Sequence, residues 1–297
     1  MSKMATIDIG TNSTRLLIAE IKNKQKIKPL VTELRTTRLG DGVDKYRYLN
    51  DEAIERTVEA LKEYAELIAN YQVDNVKAVA TSAVRDVSNQ QEFITKVRTD
   101  TGIKVEIIDG KQEANLSYLG VVKGLDCQLT DANLVLDIGG GSTELIFGTE
   151  TKIKEKVSVD VGAVRMTEKS SDIKMRQELI AELLSPVLNE LPIKSEMLLG
   201  VGGTITTLAA IDQQLSPYEP DKVHGYKLEL PIIERILSNL RVKTINERKK
   251  VIGLQSERAD IIVAGIQILL EVMNGLNMSD IIVSEADILE GLVYKSC

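Results

Sequence analysis

One unit occurs twice in this chain, and it constrains the fold more than any other feature. Asp8-Ile-Gly-Thr-Asn-Ser-Thr-Arg-Leu16 and Asp137-Ile-Gly-Gly-Gly-Ser-Thr-Glu-Leu145 each follow a short apolar run (4–7; 134–136) and lead into another (16–21; 145–147). Strand, Asp-x-Gly, small polar turn and returning strand make a β-hairpin signal. Small residues at such a turn let backbone N–H groups converge on an anion, and Ser and Thr hydroxyls add donors. An aspartate at the strand end repels that anion and suits a cation or its water. One Asp-x-Gly turn is ordinarily just a hairpin. Two that keep Asp, Gly, Ser and Thr while differing as Arg15 and Glu144 read as two halves of one phosphate-and-metal clamp.

A chain of 297 residues normally holds two domains. The net charge of −7 and an aromatic content of 3% argue against nucleic-acid binding, whether by a basic field or by a stacking platform. The most apolar stretch, 261–270, is too short for a membrane span. Cys127 and Cys297 form no framework, so a cytoplasmic location is expected. One histidine, His224, excludes a His-rich metal site.

Periodicity predicts three strands (4–9, 15–21, 27–34) and a long amphipathic helix over 51–71, with Ile54, Val58, Leu61, Ala65 and Ile68 on one stripe. A strand at 76–80, a helix at 89–101, a strand at 105–109 and a helix at 112–123 follow. The pattern then restarts, with strands from 133, 143 and 153, helices, a strand at 197–201 and a helix at 204–211. A strand at 281–283 and a helix at 286–294 close the chain, after extra helical material between 231 and 275. The expected fold is α/β: two ribonuclease-H-like domains, 1–125 and 126–297, with the last helix packing back on the first and ligands in an interdomain cleft.

The two turns and Gly200-Val-Gly-Gly-Thr204 resemble the superfamily of actin-like ATPases and acetate and sugar kinases. Within it the chain closely resembles the exopolyphosphatase and guanosine pentaphosphate phosphohydrolase (Ppx/GppA) family. The likeness rests on both turns and on Ala80-Thr-Ser-Ala-Val-Arg-Asp86, Ile108-Asp-Gly-Lys-Gln-Glu-Ala114 and Val161-Gly-Ala-Val-Arg165. It continues through Val223-His-Gly225 and Glu257-Arg-Ala-Asp260, spanning the chain in order. The family's usual Glu-Glu-Ala reads Gln112-Glu113-Ala114 here, and its Gly-Leu-Arg-Glu-Gly reads Asp287-Ile-Leu-Glu-Gly291.

The resemblance implies a Mg²⁺-dependent phosphoanhydride hydrolase acting on inorganic polyphosphate, with short chains expected and a homodimer as the assembly. Guanosine pentaphosphate 5′-phosphohydrolase is the alternative, and a non-catalytic nucleotide-dependent sensor a second. Glu113, at a helix start after a strand, would orient and deprotonate water. Without the resemblance it reads as a first-turn Glu favouring the helix dipole. Arg85 would grip two phosphate oxygens and Glu144 would hold metal or water. Asp8 and Asp137 would hold Mg²⁺ through its waters. Thr11, Asn12, Ser13, Thr14 and Arg15 would line one phosphate nest and Gly139, Gly140, Gly141, Ser142 and Thr143 the other. Gly202, Gly203 and Thr204, at a helix N-terminus, suit a further anion as well as they suit tight packing. His224 reads as structural. The 241–250 stretch, with Arg241, Lys243, Arg248, Lys249 and Lys250, reads as a solvated face or a polyphosphate track, and the apolar 261–270 helix as a candidate dimer surface.

Overall fold

The computed structural model describes residues 2–23, 26–126, 129–191 and 196–297, so Cys127 lies outside the described residues. The chain divides into two compact units, Met1–Lys123 with Ile288–Cys297, and Gly124–Asp287.

The first unit is built on β1 (Ser2–Ile9), β2 (Thr14–Asn23), β3 (Lys26–Arg35), β4 (Asn75–Ala80) and β5 (Val105–Ile107), in the order β3-β2-β1-β4-β5. The first three pair antiparallel and the rest parallel. Alternation along β1 sorts its side chains between two layers. Ala5, Ile7 and Ile9 join the core beneath helices Asp51–Asn70 and Gln90–Thr101. Met4 faces the other way, toward Ile288, Leu289, Leu292 and Val293, and the Thr6 hydroxyl donates to the Leu289 carbonyl at 3.1 Å. The closing helix Ile288–Ser296 therefore belongs to this unit. Gly291 allows its approach, since a Cβ there would sit 2.0 Å from the Leu116 carbonyl oxygen.

The second unit repeats the order. β6 (Asn133–Ile138), β7 (Thr143–Gly148), β8 (Ile153–Val159), β9 (Met197–Val201), β10 (Lys227–Glu229) and β11 (Asp280–Val283) run β10-β11-β9-β6-β7-β8. Without the added edge strand β10 this is the same 3-2-1-4-5 arrangement, and the duplicated ribonuclease-H-like fold is present. β10 has only three residues, too few for their alternation to announce it.

Two expectations change. The apolar helix Ile262–Gly275 is no free surface: Ile262, Val263, Ala264, Ile266, Ile268 and Leu269 are all buried in the unit's core. A helix apolar on every side belongs inside, and here it packs against Ile173–Glu190. Its one polar interior residue, Gln267, accepts from Arg176 Nε at 2.7 Å and donates to the Ile173 carbonyl at 2.8 Å. The 241–250 stretch is likewise not one solvated basic face. Arg248 is buried and donates to the carbonyls of Leu240 (2.9 Å) and Ala259 (3.3 Å), tying down the turn after helix Leu230–Arg241. Among the described residues no helix is long and apolar enough to cross a membrane.

Candidate active site

The two turns are built alike. In the first, the Gly10 amide closes the hairpin on the Ser13 carbonyl at 3.0 Å; in the second, Gly139 does the same to Ser142 at 3.0 Å. The segment after the third strand then braces each turn from outside. Arg38 N–H and Gly40 N–H donate to the carbonyls of Asn12 and Thr11, both at 2.9 Å. Ala163 N–H donates to Gly139 (3.0 Å), and Val164 and Arg165 N–H to Gly140 (2.9 and 3.1 Å). Arg165 Nε adds a bond to the Gly141 carbonyl at 2.7 Å.

With the carbonyls held, the amides remain. Among the described residues, the N–H groups of Thr11, Asn12 and Ser13, and of Gly140, Gly141 and Ser142, donate to nothing. Three successive unspent amides at a tight turn form an anion nest. Asn12 adds a buried side-chain amide, Nδ2, with no hydrogen-bond partner among the described residues. Such a donor costs free energy unless a ligand or water takes it.

The threonine hydroxyls expected to bind phosphate do something else. Thr14 Oγ1 pairs with Thr37 Oγ1 at 3.0 Å, and Thr143 Oγ1 donates to the Val161 carbonyl. Both residues are fully buried. A hydroxyl that points back into the brace offers nothing to a ligand. Thr204 is also buried, packed against Gly265, whose added Cβ would lie 2.2 Å from Thr204 Oγ1.

In the first unit the predicted residues form one connected group. Thr11 Oγ1 meets Ser82 Oγ at 2.9 Å, joining the turn to the one-turn helix Ser82–Arg85. Arg85 Nη1 reaches Glu113 Oε2 and the Ile108 carbonyl, at 3.2 and 3.1 Å. Glu113 is held in turn by a reciprocal cap at the start of helix Gly110–Gly124. Asp109 Oδ1 accepts from Gln112 N–H at 2.7 Å while Gln112 Oε1 accepts from Asp109 N–H at 3.0 Å. Gln112, a departure from the family pattern, thus completes the cap that fixes its neighbour. Asp8, expected to hold metal, has Oδ2 committed to Arg15 at 2.6 Å.

In the second unit the same register position joins Asp137 to Glu144. Glu144 is only 1% exposed, and its Oε1 accepts from Ser158 Oγ at 2.7 Å. Gly202 lies against Asp137: a Cβ there would come within 3.1 Å of Asp137 Oδ1, and its φ of +96° suits glycine. Gly203 lies under Arg258, whose Nη1 would be 1.7 Å from an added Cβ. His224 stands apart. Its Nδ1 accepts from Glu285 N–H and its Nε2–H donates to the Gly124 carbonyl, both at 3.1 Å, a structural use of both ring nitrogens.

Reasoning from sequence missed the braces. Gly162 and Arg165 sit within Val161-Gly-Ala-Val-Arg165, which stood out as a motif, but nothing local announced that this segment would clasp a turn 24 residues upstream. Ser82 lay within the Ala80-Thr-Ser-Ala-Val-Arg-Asp86 motif, where Arg85 alone was given a role, and Gly40 carried no signal beyond its small size.

A family model described as the Ppx/GppA phosphatase family matches residues 17–297. The chain belongs to the Ppx/GppA phosphatase family. Among Ppx/GppA relatives, it is 38% identical over 308 residues to a bifunctional 3-dehydroquinate synthase/phosphatase of Fusobacterium nucleatum. That match takes in 98% of this chain but spans only 46% of the relative's length. Exopolyphosphatase 2 of Mycobacterium tuberculosis is 33% identical over 316 residues, covering 99% of this chain and 98% of the relative. An exopolyphosphatase crystal structure from Cytophaga hutchinsonii superposes with a TM-score of 0.92 at 31% identity, covering 99% of this chain and 97% of that one.

Proposed function

We propose that this Ppx/GppA protein is an exopolyphosphatase, a Mg²⁺-dependent hydrolase that removes terminal phosphate from inorganic polyphosphate. The observation that carries the reading is the pair of braced turns, each presenting three unspent amides. Relatives of full matching length named exopolyphosphatase support the substrate class.

Phosphoanhydride hydrolysis is chiefly positioning and charge neutralisation. The amides of both turns and Asn12 Nδ2 would receive phosphate oxygens. Glu113, fixed by its cap and by Arg85, would take the proton of the attacking water. Arg85 would turn its remaining N–H groups to the phosphate that Glu113's water attacks.

Asp137 and Glu144 fit a metal ion. They are two carboxylates directly opposed across antiparallel strands, one of them buried, and like charges so placed destabilise a sheet unless a cation lies with them. Two carboxylates suffice to anchor Mg²⁺, an ion that keeps several of its waters and takes substrate oxygens for the rest. Mg²⁺ bound there would offset charge on the phosphate oxygens. A cytoplasmic location, suggested by the two cysteines, and a homodimer, suggested by the family likeness, are part of this proposal.

The test is phosphate release from polyphosphates of several lengths, guanosine pentaphosphate and ATP, with and without Mg²⁺. Mg²⁺-dependent release from polyphosphate is expected. Turnover of guanosine pentaphosphate with none of polyphosphate would replace the substrate, and no turnover of any would remove the enzyme reading.

A further inference from the structure

A trans peptide points its C=O and the next residue's N–H in opposite directions, so whatever holds a carbonyl also aims the amide that follows it. In the second turn all three unspent amides are aimed in this way. Ala163 N–H holds the Gly139 carbonyl at 3.0 Å and so directs Gly140 N–H. Val164 and Arg165 N–H hold the Gly140 carbonyl and direct Gly141 N–H. The Gly141 carbonyl, which directs Ser142 N–H, is held by a side chain, Arg165 Nε at 2.7 Å. The first turn treats the matching peptide differently. There the Asn12 carbonyl, ahead of Ser13 N–H, is held at 2.9 Å by the backbone N–H of Arg38.

The sequence of the second turn makes such a hold necessary. It has glycine at 139, 140 and 141, where the first turn has Gly10, Thr11 and Asn12. Without a Cβ the backbone at Gly141 can turn over, so the amide after it keeps one direction only if its carbonyl is fixed. Arg165 is placed to fix it. The residue lies in helix Ala163–Lys169, is 6% exposed, and has Nη2 3.9 Å from Asp160 Oδ1. A buried guanidinium is costly unless its donors are used, and Nε spends one on the backbone of the nest itself.

Resting on the reading above that these amides receive phosphate, we propose that Arg165 is a positioning residue of the second nest. Through the Gly141 carbonyl it holds the Ser142 amide on the phosphate without touching the ligand. It acts by the hydrogen bond from Nε and not by its charge. The Ser13 amide of the first nest needs no such side chain, because a backbone N–H does the same work there.

Two variants separate the bond from the charge. Arg165→Gln keeps a nitrogen donor at the same place along the side chain and removes the charge, whereas Arg165→Lys keeps the charge and puts a methylene where Nε stands. The probe is methylenediphosphonate, whose P–C–P bridge is not hydrolysed, with Mg²⁺ present. Its binding is titrated directly while the Gly140, Gly141 and Ser142 amide resonances are followed by NMR. In wild type all three should move on binding. Arg165→Lys should bind about tenfold more weakly, with the Ser142 response lost and the glycine responses kept, and Arg165→Gln should stay within about twofold of wild type. Affinity kept by Lys and lost by Gln would make the charge decisive and overturn the proposal. Equal losses in both, with the three amides affected alike, would make Arg165 a general structural tie and overturn it as well. A wild-type protein in which the probe moves none of the three amides would remove the phosphate-nest reading, and the aiming of Ser142 with it.

Discussion

Opposite its aspartate, the N-terminal turn carries Arg15 and the C-terminal turn carries Glu144, in the same strand register. Everything around that position is shared: the Gly-to-Ser closure, the brace after the third strand, the inward threonine and the three unspent amides. Arg15 makes the first turn an internally neutralised pair, Asp8 with its guanidinium. Glu144 leaves the second with two carboxylates side by side. Duplication has thus kept a backbone with three unspent amides and changed the one side chain that stands opposite the aspartate. The backbone tolerates this because its hydrogen bonds involve no side chain at that position.

The comparison can be broken most severely at Glu113. Glu113→Gln keeps shape and loses the proton acceptor, so phosphate release should fall about a hundredfold or more with polyphosphate affinity largely retained. Near-normal turnover would move the role to Glu144 and reverse the division of labour between the copies.

Glu144→Gln should raise the Mg²⁺ concentration needed for half-maximal activity by about tenfold or more, the scale expected when a ligating group is lost. Arg15→Gln should leave that requirement nearly unchanged. If both variants shift it equally, the two turns do not differ as their charges suggest.

The braces differ in what they touch. A methyl at Gly162 would lie 2.4 Å from the Gly140 carbonyl oxygen, which is backbone, whereas one at Gly40 first meets the Thr11 methyl at 2.2 Å, the end of a side chain. Gly162→Ala should therefore cost about 3 kcal/mol in urea unfolding and Gly40→Ala about 1 kcal/mol. A reversed order would show that Thr11, tied to Ser82, is the stiffer neighbour.

The smallest effects belong to the inward hydroxyls. Thr14→Val and Thr143→Val should each cost about 1 kcal/mol of stability. KM for polyphosphate should stay within about twofold, on the scale of a site whose hydroxyls bind no substrate. A much larger KM change in one variant alone would put that hydroxyl back on the ligand.

Much of the architecture could be read before any coordinates. The stripe Ile54, Val58, Leu61, Ile68 forecast helix Asp51–Asn70, and alternation with flanking turns located β1, β4 and β9 to within a residue or two of their ends. These are local properties, set by periodicity and turn chemistry. The repeated Asp-x-Gly turns were legible for the same reason. What neighbours in space do to a residue was not. The 261–270 run read as a possible surface because sequence records apolarity and not what covers it; packing made it the interior of the second unit.

By itself, then, the sequence determined the duplicated fold, the two Asp-x-Gly turns and the family, since each rests on contiguous residues. Tertiary structure alone decided that Thr14 and Thr143 face inward, that Arg248 is a buried tie and that Gln112 completes a cap on Glu113's helix. It also decided that Asp8 is neutralised by Arg15 while Asp137 faces Glu144. A side chain's chemistry is intrinsic, but its charge balance and its spare hydrogen-bonding capacity depend on partners that folding brings from elsewhere in the chain.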